Sequence, residues 1–91
     1  MAKFKFTKKA IEDLTSIWEY TIETWSEKQA DKYYNLLIDG CSELAKNPKL
    51  GKSYFEIHPE LFGKLTSKHI IFYRKIDKST IEITRILHEQ M

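Results

Sequence analysis

Residues 69–91 read HIIFYRKIDKSTIEITRILHEQM, and the way this stretch pairs with itself decides the fold. β-Branched and aromatic residues crowd the runs His69 to Ile76 and Ile81 to His88, and the polar DKST lies between them. The first kind of residue fits a pleated, half-buried surface, while Asp, Lys and Ser favour a turn. The pattern predicts two antiparallel strands with a turn at 77–80. Stepping outward from an Ile76–Ile81 pair sets Lys75 opposite Glu82, Arg74 opposite Ile83, Tyr73 opposite Thr84 and Phe72 opposite Arg85. Ile71 then meets Ile86, and His69 meets His88. Ile70, Phe72, Ile76, Ile81, Ile83 and Leu87 share one face in this register, and a one-residue slip would scatter them.

The same register places Arg74 and Arg85 on that apolar face as diagonal neighbours. A buried guanidinium with no partner is destabilising by several kcal/mol. Two explanations stand side by side. The arginines pair with helical carboxylates such as Asp13, Asp39 or Glu43, or they form an anion site for phosphate or a partner's carboxylates. His69 and His88 meet on the opposite face. Two histidines do not make a metal site and no third ligand has a readable spacing, so no metal is expected. They are either solvated side chains or, for His88, a general acid or base beside a phosphodiester, with basic neighbours stabilising the charge.

Upstream, KFKFT at 3–7 alternates and reads as a short strand with Phe4 and Phe6 on one face. Thr7 is placed to cap a helix. From Ala10 the residues Ile11, Leu14, Trp18, Ile22 and Trp25, with Ile17 beside them, recur at helical spacing. SEKQ at 26–29 has the spacing of a capping box and opens a second helix, with a stripe of Ala30, Tyr33, Tyr34, Leu37, Ile38, Cys41, Leu44 and Ala45. Asn47-Pro48 ends it, because a residue before proline avoids helical angles. So short a joint makes the two helices an antiparallel hairpin. Gly40 in mid-helix implies a close contact. NPKLGKS is a loop, followed by a possible strand at Tyr54 to Ile57 and a break at His58-Pro59. Trp18, Trp25, Tyr33 and Tyr34 are expected to pack between helices and sheet, and Cys41 is expected in the core rather than as a nucleophile.

A chain of 91 residues is one domain, 1–91, with a single modest core. Its fold class is α+β: an N-terminal strand, an antiparallel helical hairpin, then a C-terminal antiparallel sheet. The net charge of +2 is too small to imply sequence-independent nucleic-acid binding by itself. It is unevenly spread, however: acids lead from Glu12 to Asp31, and bases lead from Lys46 to Lys78. The single cysteine and the absence of a charged-then-apolar leader favour the cytoplasm, and no run is long and apolar enough to cross a membrane. There is no glycine-rich phosphate loop and no paired-carboxylate signature, and no cofactor is expected.

HIIFYR followed by IEITRILHEQM resembles the closing signature of ParE toxins in the RelE/ParE superfamily. Ala10, Asp13, Leu14, Ile17, Tyr20 and Trp25 fit that family's first helix; Gln29, Ala30 and Tyr33 fit its second; Asn47, Pro48 and Gly51 fit the loop after it. The resemblance spans nearly the whole chain in order, and it implies a helical hairpin packed on an antiparallel sheet. It further implies the toxin of a type II toxin-antitoxin module, neutralised by a ParD-like antitoxin whose disordered segment wraps it. ParE-type toxins inhibit DNA gyrase by stabilising its cleaved-DNA complex, so the chain is expected not to be an enzyme. Arg85, His88, Lys64 and Lys68 are the expected target contacts, and Arg74 is read as structural. No sequence-specific nucleic-acid binding is expected.

RelE-like relatives on the same fold cleave mRNA in the ribosome with basic residues and a His or Tyr near the C-terminus. Carried over, that reading makes Arg74, Arg85 and His88 a cleavage set. The chain lacks the late tyrosine often found in those relatives, and Glu89, Gln90 and Met91 agree with the ParE pattern. A third reading is a degenerate, nontoxic toxin that serves as a binding module.

Overall fold

The computed structural model describes residues 2–89, so Gln90 and Met91, which the family pattern includes, lie outside the described residues. In chain order the elements are β1 (Lys3–Phe6), α1 (Lys8–Thr24), α2 (Glu27–Lys46), a 3-10 turn at Pro48–Leu50, β2 (Lys52–Ser53), β3 (Phe62–Thr66), β4 (His69–Lys75) and β5 (Thr80–His88). The strands form one sheet in the order β1-β5-β4-β3-β2. β2 to β5 are antiparallel to their neighbours, and β1 joins in parallel beside β5, with Lys3 opposite Thr80 and Phe6 opposite Ile83.

Both helix starts are fixed locally. Thr7 Oγ1 accepts the Ala10 N–H at 3.1 Å, and Ser26 Oγ accepts the Gln29 N–H at 3.1 Å. Each bond satisfies one of the backbone donors that a helix leaves open at its first turn. Asn47 ends α2, and its side-chain oxygen accepts the Lys49 N–H to start the following turn. The helical hairpin covers one face of the sheet. Ala10 and Leu14 of α1 and Leu37, Cys41, Leu44 and Ala45 of α2 bury against Ile71, Tyr73, Ile81, Ile83 and Ile86. Each of the larger side chains contributes about 1.5–3 kcal/mol of burial free energy. Gly40 meets the sheet closely: a Cβ there would lie 3.2 Å from Ile71 Cδ1 and 3.3 Å from Thr66 Cγ2.

The closing hairpin departs from simple stepping. His69 opposite His88, Ile71 opposite Ile86 and Phe72 opposite Arg85 hold, but a bulge follows, and Tyr73 then pairs with Ile83, Arg74 with Glu82 and Lys75 with Ile81. Thr84 is the extra residue. A bulge reverses the in–out alternation on the strand that carries it. Ile81 and Ile83 therefore bury on the helix side with Ile71, Tyr73 and Ile86, not beside Ile70, Phe72, Ile76 and Leu87 as uniform alternation predicts. Ile76 is exposed. The expected strand at Tyr54–Ile57 is instead a turn, in which Tyr54 O accepts the N–H groups of Ile57 and His58 at 2.9 and 3.1 Å. The real third strand begins at Phe62 and contains Gly63, over which the Tyr54 ring lies; Tyr54 also meets Phe72 edge-on with centroids 5.0 Å apart.

The aromatic expectation holds only in part. Tyr33 packs against the core, but Trp25 is 72% exposed, and Trp18 and Tyr34 are exposed as well. Trp18 instead donates its indole N–H to Asp31 at 3.3 Å.

Candidate functional site

The two arginines have different fates. Arg85 forks onto Asp13 of α1, with Nε at 2.8 Å from Oδ2 and Nη2 at 3.0 Å from Oδ1. The same carboxylate accepts the Ile86 N–H at 3.0 Å. The reason is topological. β1 ends at Phe6, so beyond Ile83 the edge of β5 has no strand beside it. Residues at the start of α1 take over: Thr7 donates its hydroxyl to Thr84 O at 2.9 Å, and Asp13 receives Ile86. Partial burial raises the Asp13 pKa, but the Arg85 and Ile86 hydrogen bonds and the positive charges of Arg85 and Lys9 outweigh it, and the net shift is downward. Arg85 is raised correspondingly, first by its Asp13 bond.

Arg74 pairs across the ladder with Glu82 through one Nε contact of 2.9 Å, so its partner is a strand residue rather than a helical carboxylate. At this end of the hairpin Asp77 Oδ1 accepts the Ser79 N–H at 2.9 Å, which organises the turn and lowers the Asp77 pKa.

At the opposite end of the ladder, the residues around the β3–β4 turn converge. The His69 and His88 rings stand edge to face with centroids 5.2 Å apart. Tyr33 of α2 accepts the Lys68 N–H on its hydroxyl at 3.2 Å and shares a hydrogen bond of 2.6 Å with His69 Nδ1. Burial first, and then the neighbouring His88, lowers the His69 pKa against the opposing pull of Glu89. Glu89 returns to the turn by donating its N–H to Lys68 O at 2.9 Å. Ser67 in this turn has a φ of 58°, the left-handed region.

Lys68 and His88 therefore belong to one corner of the molecule, and Lys64 lies on β3 opposite Ile71. Arg85 is drawn away to α1. The set Arg74, Arg85 and His88 is not gathered: Arg74 lies five positions (74 − 69) along β4 from His69, the residue opposite His88. At a strand rise of about 3.3 Å per residue this is roughly 16 Å. Cys41 is enclosed, and burial pushes its thiol up to about 12, which leaves it unreactive. No group of three or more potential metal ligands occurs among the described residues.

Sequence reasoning missed the polar duties of two tyrosines. Tyr33 ties α2 to the β3–β4 turn. Tyr73, fully enclosed, donates its hydroxyl to Pro48 O at 2.6 Å and accepts the Gly51 N–H at 3.0 Å. A Cβ on Gly51 would come within 2.8 Å of Tyr73 Cε1, which gives a physical reason for the Asn47, Pro48 and Gly51 pattern. The usable signal was a tyrosine directly after Ile70, Ile71 and Phe72 in the strand, since a buried phenol needs a partner.

With this geometry established, comparison with known proteins decides the family. The model of a family described as "ParE toxin of type II toxin-antitoxin system, parDE" matches residues 4–91. The chain belongs to the ParE toxin family. "Toxin ParE1" of Mycobacterium tuberculosis is 33% identical over 78 residues, covering 86% of this chain and 80% of that protein. "Toxin ParE1" of Caulobacter vibrioides is 28% identical over 91 residues, covering 100% of this chain and 93% of its own length. Among solved structures, a chain of the "Chromosomal ParDE TA system from P. aeruginosa" superposes with a TM-score of 0.80 at 20% identity, covering 97% of this chain and 96% of that one. This ParE-family chain is thus the toxin component of a type II toxin-antitoxin system, and the expected α+β fold is the one observed. No helix among the described residues is long and apolar enough to cross a membrane.

Proposed function

We propose that this toxin acts in the cytoplasm by inhibiting DNA gyrase, without catalysing a reaction of its own, and that a cognate ParD-like antitoxin neutralises it. The observation that carries this reading is the match of the ParE family model over residues 4–91. The separation of Arg74 from His88 supports it against mRNA cleavage, because a general acid and its charge-stabilising arginine must reach the same phosphate. On this reading Lys68 and His88, with Lys64 nearby, contact the target, and Arg85 contributes by holding β5 to α1 with its exposed side reaching the same partner.

An apolar groove of about 400 Å³ between the helices supports the antitoxin half of the proposal. Ile11, Trp18 and Tyr34 form its rim, with Phe6 and Leu14 beneath. Such a groove suits the apolar face of an amphipathic segment.

The test is supercoiling of relaxed plasmid by purified gyrase with rising amounts of the free toxin, scored for lost supercoiling and for trapped linear DNA. Both are expected. A folded chain that leaves gyrase untouched but cuts mRNA on ribosomes would replace this reading with the RelE-like one. Growth of cells after induction without the antitoxin would replace it with the degenerate binding module.

A further inference from the structure

Three lysines from two segments meet at the end of the sheet remote from His69 and His88. A cleft of about 450 Å³ opens between the loop after α2 and the β4–β5 turn, and Lys49, Lys75 and Lys78 line it together with Asn47 and Ser79. All three lysines are exposed. None of them has a carboxylate within ion-pair distance among the described residues, whereas Arg74 and Arg85 both do. Asp77 is the one acid in the wall among the described residues, and its Oδ1 is engaged by the Ser79 N–H at 2.9 Å and the Ser79 hydroxyl at 3.4 Å. The wall therefore carries an excess of positive charge, three lysines against one acid, among the described residues.

We propose that this cleft is a sequence-independent contact for the phosphodiester backbone of duplex DNA. Lysine ammonium groups and hydroxyls are the side chains that meet phosphate oxygens without reading bases. An acidic protein segment is the less suitable occupant. Protein interfaces are anchored by aromatic or arginine side chains in desolvated pockets, and the cleft wall offers neither. The net charge of the chain is too small to hold DNA everywhere, but the cleft concentrates it at one place. The proposal takes its purpose from the gyrase reading, since gyrase at work presents DNA beside the enzyme, but its test contains no gyrase, so either idea can fail alone.

The experiment is a fluorescence-anisotropy titration of a labelled random-sequence duplex with the free full-length toxin at several salt concentrations. Neutralising three phosphates gives a slope of log K against log salt of about −2.7, or roughly 40-fold weaker binding at about 200 mM than at about 50 mM salt. Lys49→Ala, Lys75→Ala and Lys78→Ala are each expected to lower the slope by about 0.9, and the triple variant to abolish most of the binding. Circular dichroism verifies folding, and Lys28→Ala/Lys32→Ala, exposed near the start of α2 and remote from the cleft, is the control that keeps the slope. No binding at about 50 mM salt, or an unchanged slope in the folded triple variant, overturns the proposal. So does tighter binding of poly-L-glutamate than of duplex, which assigns the cleft to an acidic protein segment, or displacement of the duplex by millimolar inorganic phosphate, which reduces it to a simple anion pocket.

Discussion

Arg74 and Arg85 lie on paired strands, each with a carboxylate at hydrogen-bond distance, yet they do different work. Around Arg74 the pairing of β4 with β5 is continuous, and its single contact with Glu82 serves no backbone group. Around Arg85 the sheet edge has run out, and the Asp13 carboxylate that it orients also satisfies a strand amide. An ion pair matters in proportion to the buried groups that depend on it. Distance alone does not distinguish these two, since 2.8 and 2.9 Å are equivalent.

The sharpest way to break this contrast is at Asp13. Asp13→Ala removes the fork and leaves the Ile86 N–H without its acceptor, and a loss of about 3 kcal/mol is expected in urea unfolding. Asp13→Asn keeps an oxygen for Ile86 and should lose about half as much; equal losses would show that the strand amide is not what Asp13 serves. Next in size is Tyr73→Phe, which strips two hydrogen bonds from the loop after α2 without changing the packing, for a loss of about 1.5 kcal/mol. A neutral Tyr73→Phe would mean that the loop is held by shape alone.

Acid should act in sequence on two neighbouring sites at one end of the ladder, His69 and Asp13. The His69 pKa is lowered on folding, so protonation favours the unfolded chain, and stability should begin to fall as pH drops through the ordinary histidine range near about 6.5. The Asp13 pKa is also lowered, so its contribution is full above about pH 4 and disappears as pH falls through the folded value. His69→Gln should remove the first decline and Asp13→Asn the second, as read from urea midpoints across pH. The smallest effect belongs to Arg74 and Glu82: a double-mutant cycle should return a coupling of no more than about 0.5 kcal/mol, suppressed by salt.

The helices were legible because their information is local. Thr7 and Ser26 cap where the spacing placed them, and Asn47-Pro48 stops α2 where a residue before proline must. The outer half of the hairpin register was legible from alternation. The bulge was not, since inserting Thr84 leaves the composition of β5 unchanged and reveals itself only when Ile81 and Ile83 must face the helices together with Ile86. Asp13 stood among the possible arginine partners, but nothing local separated it from Asp39 or Glu43, because the choice depends on where β1 stops along β5. Tyr54 to Ile57 failed for a related reason: its residue types suit a strand, but the ring of Tyr54 is needed above Gly63. The cleft lysines belong to the basic stretch visible in the sequence, although only the fold shows that Lys49, Lys75 and Lys78 meet.

The sheet order has a consequence for synthesis. The first strand made, β1, finds its neighbour only in β5, where Lys3 waits for Thr80. At about 5–20 residues per second the ribosome holds β1 unpaired for several seconds while everything between is made. Through that interval Phe4 and Phe6 have no strand to join and Asp13 has no arginine to bind. A partly made chain therefore cannot complete the sheet until the final strand, which carries Arg85, has been made.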